Sequence, residues 1–173
     1  MAIKAALLTL AALALAPATA NATLEKEPHG SVAGLVGVGI DVAGEDAFFG
    51  LGLRGGYTLR PNIYIGGTYM YHIVSQEVAG GLHILGVEGG YDFQFEPVTI
   101  RPYIGLGYGY EHFEFESGRE FTFSAFVFSF GGSVLFNLNE QWFIGGDFRL
   151  PIFTSGGEPE FLPTPSLTGG LNF

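Results

Sequence analysis

The chain has no cysteine, so neither a disulfide nor a thiolate metal site holds it together. It is also short of charge: Asp, Glu, Lys and Arg make up 14% of its 173 residues, where soluble domains carry about 25%. Cations are scarcest, with 7 Lys and Arg against 17 acids and a net charge of −10. Nucleic-acid affinity depends on neutralising phosphates, so that partner class is excluded. What is abundant is glycine, 28 residues, and aromatics at 15%. Few charges with many aromatics and glycines suit a protein whose outer surface touches lipid.

The first 20 residues read as a removable secretory leader. Lys4 supplies the positive start, an apolar stretch covers residues 5–16, and Ala18-Thr19-Ala20 offers a small-residue cleavage site. So short an apolar stretch fits a leader and not a membrane span. Ala20-Asn21-Ala22 is a second site, so cleavage is expected near Ala20 or Ala22. Loss of the leader removes Lys4 and no acid, taking the charge from −10 to −11. Residues 21–30 read as a short periplasmic tail and 31–173 as one domain.

Strands are expected over 31–41, 47–59, 63–74, 82–93, 99–113, 125–137, 142–152 and 165–173. In the second, Phe49, Leu51, Leu53, Tyr57 and Leu59 share one face, and Gly50, Gly52, Arg54, Gly56 and Thr58 the other. Such two-residue alternation is a strand pattern. Residues 121–139 carry no charge and resemble a membrane helix in hydropathy. There too Phe126, Phe128, Phe130, Val134 and Phe136 keep one parity, so a strand is expected. Tight turns at 60–62, 94–97 and 138–141 alternate with mostly longer loops at 42–46, 75–81, 114–120 and 153–164.

The non-apolar face is Gly, Ser and Thr, not the Lys- and Glu-rich surface of a soluble barrel. Small residues fit the narrow interior of an eight-stranded barrel. Tyr57, Tyr91, Phe93, Phe136, Trp142 and Phe173 would line one rim of the apolar face. Phe49, Tyr69, Tyr71, Tyr108, Tyr110 and Phe126 would line the other, and bilayer interfaces select such girdles. The expected fold is therefore all-β: an eight-stranded antiparallel up-and-down transmembrane β-barrel in the outer membrane. Both termini and the tight turns would face the periplasm.

The run Arg101-Pro-Tyr-Ile-Gly-Leu-Gly-Tyr-Gly-Tyr110 and the terminal Leu171-Asn172-Phe173 resemble the OmpA/OmpX-like small outer-membrane barrels, a porin-like superfamily of Gram-negative bacteria. The resemblance implies that Phe173 is an assembly signal read by the barrel-assembly machinery. It also implies an interior ion network and roles in envelope integrity or surface contact. No peptidoglycan-binding domain is seen, so cell-wall anchoring is not expected.

Arg54, Glu88, Asp147 and Arg149 fall on the inward face near mid-strand, and two cations and two anions there are expected to pair across a filled lumen. The rival reading makes them the gate of a narrow pore for ions or very small solutes. The outward loops hold Glu45, Asp46, Glu77, Glu111, Glu114, Glu116, Glu120, Glu158 and Glu160 against one cation, Arg119. Such a rim would meet lipopolysaccharide through bridging divalent cations. His112, Glu114 and Glu116 share one strand face and are weak metal candidates; a solvated acidic hairpin is the plainer reading, and no metal or cofactor is expected. A third function, a lipid A-modifying rim enzyme, needs a Ser-His-acid set. His72, Ser75 and Glu77 are near in sequence, but spacing three sends His72 and Ser75 to opposite faces, so no enzyme is expected. Gly34–Gly39 and Gly105–Gly109 lack the following helix of a nucleotide loop. The expected protein is a monomeric, non-enzymatic barrel with a structural or surface-interaction role among membrane lipids.

Overall fold

The computed structural model describes residues 28–41, 46–59, 62–73, 79–114, 120–154 and 158–173. The expected leader and residues 21–27 lie outside these. Eight long strands follow the two-residue alternation: β1 His29–Ile40, β2 Ala47–Leu59, β3 Ile63–Ile73, β4 Ala79–Tyr91, β5 Val98–Glu114, β6 Glu120–Asn137, β7 Trp142–Thr154 and β8 Thr164–Asn172. Phe93–Phe95 continues β4 along β5, and Glu160–Phe161 pairs with β7. Each strand pairs antiparallel with the next, and β8 also pairs with β1, from Ser31↔Asn172 to Gly37↔Ser166. The sheet closes on itself, so no spanning strand leaves an edge in lipid.

Closure needs a stagger, because closed strands tilt against the axis. Cross-strand partners lead from His29 through Thr58, Tyr64, Gly90, Tyr103, Gly131 and Arg149 to Thr164. Ser166 opposes Gly37, so Thr164 stands level with Gly39. The circuit returns ten residues along β1 from its start.

The greasy face points out. Leu53, Leu85, Ile104, Phe126 and Leu167 are all strongly exposed, whereas Arg54, Thr68, Glu88, Ser133 and Asp147 are buried. A second outward pattern was not expected. Gly132, Gly146, Gly169, Gly34, Gly55, Gly67, Gly89 and Pro102 place one residue per strand on the outer wall. Gly169–Gly34, Gly55–Gly67 and Pro102–Gly132 are direct partners. The other five steps lie two residues from the direct partner, all in the sense of the tilt. Together those steps match the ten-residue stagger, so the ring closes at a single height.

Several boundaries differ from expectation. β1 begins at His29, since His29 and Gly30 pair with Thr58 and Tyr57. β5 and β6 run higher than their charges suggested, because Phe113↔Phe121 and Glu114↔Glu120 keep the ladder going past the acidic residues. Between β4 and its continuation, Asp92 faces Pro102's neighbour Arg101; proline lacks the N–H a ladder needs, and the pairing is interrupted there. Aromatics are not confined to the rims: Phe128, Phe130 and Phe148 are also exposed to the lipid side.

Candidate functional site in the filled lumen

Strand alternation sends Arg54 of β2, Glu88 of β4, and Asp147 and Arg149 of β7 into one layer across the bore. Arg54 Nη2 donates to Asp147 Oδ1 at 2.8 Å and Nη1 to Ser133 Oγ at 2.9 Å. Its Nε lies 2.8 Å from Glu88 Oε1, an ion pair whose N–H is not aligned for a hydrogen bond. Arg149 Nη2 donates to Glu88 Oε2 at 2.6 Å. The four sequence-predicted residues therefore meet in one chain of contacts, all 6% exposed or less. Two positive and two negative charges balance, which lowers the cost of taking them from water.

Hydroxyl groups complete the layer, and sequence reasoning missed them. Thr68 Oγ1 donates to Glu88 Oε2 at 2.8 Å, and Ser133 Oγ to Asp147 Oδ1 at 2.6 Å. Tyr103 Oη donates to Asp147, 3.0 Å from Oδ2, and its ring takes Arg54 and Arg149 at 4.8 and 4.9 Å. Cation–π contact thus adds to the ion pairs. A second pair toward the end that carries the C-terminus was also missed. Arg101 Nη2 donates to Asp92 Oδ2 at 2.8 Å and Nε to Oδ1, a two-pronged contact, while Thr58 also donates to Asp92. The Arg101 guanidinium stacks 3.7 Å from the Tyr64 ring centre. The available sign was parity: Arg101 and Asp92 oppose each other on inward positions, but Asp92 lay beside an expected turn.

On the outer side of this layer the lumen is apolar. Leu35, Met70, Leu82, Ile84, Ala125, Val127, Phe153 and Leu162 pack together, with Phe48 and Phe123 against them. His72 is fully buried, and neither ring nitrogen has a hydrogen-bond partner. It points into the barrel, while Ser75 and Glu77 lie outside the described residues. A cavity between the tiers, bounded by Thr68, Met70, Ile84, Ser129 and Arg149, holds about 10 Å³, at the limit of a single water.

Among the described residues no His, Asp and Glu group is placed to hold a metal. His112 lies on the outer wall, Glu114 is described by its backbone alone, and Glu116 lies outside the described residues. Glu111 of β5, paired with Leu82 and Phe123, is half-buried. At the rims Tyr57, Tyr91 and Trp142 on one side and Tyr69, Tyr108 and Tyr110 on the other are exposed. Tyr71 is half-buried because it lies across Gly81, where a Cβ would collide with its ring. Phe173 closes the seam: its N–H donates to Gly30 O at 2.9 Å, and its ring covers Gly30.

A closed eight-stranded wall, a lipid-facing apolar surface and a charge-paired interior agree with one match. The outer membrane protein beta-barrel domain matches residues 5–170. The chain belongs to that family. As an outer-membrane β-barrel it also resembles solved structures. Neisserial surface protein A superposes with a TM-score of 0.66 at 12% identity, covering 84% of this chain and 95% of that one. Ail, the attachment invasion locus protein of Yersinia pestis, gives 0.61 at 19%, covering 87% and 100%. The N-terminal barrel of Pseudomonas aeruginosa OprF gives 0.55 at 18%, covering 85% and 100%. At such identities the likeness is one of fold. No curated protein matches the chain by sequence.

Proposed function

We propose that this barrel is a closed, non-enzymatic element of the outer membrane that carries surface contacts and does not conduct. One observation supports this above the rest: the bore is crossed by a paired-charge layer and by an apolar tier, with a cavity of about 10 Å³ between them. An ion would have to break the pairs and then enter hydrocarbon. Surface contact falls to the β5–β6 hairpin, the longest strands of the fold. One Ail structure holds a heparin analogue, sucrose octasulfate. The outward loops here are acidic with only Arg119 as counter-charge, so the favoured contacts are neutral or cationic, or lipopolysaccharide through divalent cations. Phe173, outward and 79% exposed, fits the assembly-signal role, and the barrel acts as a monomer. The test is conductance in planar bilayers: a quiet membrane is expected, and stepwise currents that change with Arg54 or Asp147 substitution would overturn the reading in favour of a pore.

A further inference from the structure

His72 is a polar side chain in a hydrocarbon setting. It is fully buried, and neither Nδ1 nor Nε2 has a hydrogen-bond partner. A buried polar group in that state costs free energy unless something satisfies it. The ring lies over Gly50, where a Cβ would come within 2.7 Å of Cδ2 and 2.9 Å of Nε2. Its Cδ2 also closes on Gly39 beside Leu162, and Leu82 is its direct partner on β4. Water is a poor answer, since a buried water needs about 2–4 polar partners and these walls are apolar side chains and paired backbone.

The neighbour on the same inward face is Met70, which is also buried. Both side chains lean across β2: a Cβ on Gly52 would fall on Met70 Sδ, as one on Gly50 would fall on the His72 ring. A thioether sulfur and an imidazole nitrogen thus stand over alternate residues of one strand, positions about 7 Å apart. Methionine turns about three bonds and can carry its sulfur across that interval. This is a rare sulfur, because the chain has 2 Met and no Cys, and the other methionine is Met1. The pair has no oxygen donor for a hard divalent ion. Thioether and imidazole suit a soft monovalent ion such as Cu(I), which accepts two ligands in a line. Charge agrees as well. Glu111 stands in the same cross-strand row as His72, by way of Leu82, and Asp41 lies two residues beyond Gly39. His72 is one residue from the outer end of β3, a short way in for a cation drawn to the acidic rim. We propose that Met70 Sδ and one ring nitrogen of His72 bind a single Cu(I) ion within the apolar tier. The inference adds a ligand to the closed barrel and does not depend on whether the lumen conducts.

Ag(I) shares the charge and ligand preference of Cu(I) and keeps its oxidation state, so it serves as the probe. The full chain, refolded in detergent, is titrated with Ag(I) under native mass spectrometry, and the Met70 methyl group is followed by NMR. One Ag(I) per barrel and a shift of that resonance are expected. Losing an outer-shell partner of a metal ligand costs about 10–100-fold in affinity, so Met70→Leu and His72→Phe should each cost at least that. Met70→Leu nearly conserves the volume of the tier, and a heat-dependent gel shift shows that its barrel forms. His83→Leu should change nothing: that ring lies on the outer wall, 4.8 Å from Tyr71, with Nδ1 2.8 Å from Tyr69 Oη. Equal Ag(I) affinity in the wild type, Met70→Leu and His72→Phe overturns the proposal, as does a wild type whose Met70 methyl resonance ignores Ag(I). The methyl measurement uses the unaltered chain, so a variant that fails to fold does not shield the proposal. Planar-bilayer conductance on the same samples separates a failure here from a failure of the closed-barrel reading.

Discussion

Arg54 is the residue whose loss leaves most behind. It meets Asp147, Glu88 and Ser133 at once, and alanine would leave Asp147 without a cation in a dry layer, with Glu88 holding only Arg149. Breaking a buried pair in this way costs about 3–5 kcal/mol, because the remaining charge is uncompensated. Arg54→Ala and Glu88→Ala should each lower the urea midpoint of the refolded barrel by that order. The double variant should lose less than the two losses combined, since each single change already breaks the same contact. Additive losses would show that they are not partners. Tyr103→Phe keeps the ring between the arginines and removes only the hydroxyl to Asp147; a smaller loss of about 1–2 kcal/mol is expected.

At the scale of the strand, glycine has two meanings that the sequence does not separate. Inward glycines are spaces already taken: a Cβ on Gly56 would fall on the Tyr64 ring, and one on Gly131 on the Tyr103 ring. The outer ring is open, with nothing within 4 Å of a Cβ on Gly34 or Gly146. Gly56→Ala and Gly131→Ala should cost about 1–3 kcal/mol through overpacking. Gly34→Val and Gly146→Val should be neutral or stabilising, because a branched side chain suits a strand and adds apolar surface toward lipid. Unfolding midpoints in one detergent would compare all four, and equal losses in both pairs would refute the distinction. Parity was legible throughout, because burial on one face forces every second residue to agree. Parity alone sends Arg54, Glu88, Asp147 and Arg149 into the lumen. Register was not legible, and register is what brings Tyr103 to Asp147, Asp92 to Arg101 and Tyr71 to His83. The heights of β5 and β6 were hidden for a different reason: charge at Glu114 and Glu120 reads as loop, although backbone pairing continues beneath it.

For the whole molecule, the layers are arranged so that either alone seals the barrel. The glycine ring outside lies at the height of the polar layer inside, as the neighbours Arg54-Gly55, Gly67-Thr68, Glu88-Gly89, Arg101-Pro102, Gly132-Ser133 and Gly146-Asp147 show. There the wall is one backbone thick, and the charges are kept from lipid by pairing with one another. Above them Met70, Ile84, Val127 and Phe153 fill the bore with hydrocarbon. Opening a path takes removal of both. Arg149→Ala should leave the apolar tier shut and the membrane quiet. Met70→Ala with Phe153→Ala should carve a cavity above an intact charge layer and also stay quiet, at a stability cost of several kcal/mol. Only the three together should pass ions, because water entering from outside would then reach a layer in which Glu88 and Asp147 share the single cation Arg54 and one negative charge is left over. Such a pore should favour cations over anions, and the bias should vanish when Glu88→Gln is added. Steady current through the Arg149→Ala barrel alone would mean that the apolar tier does not close the bore.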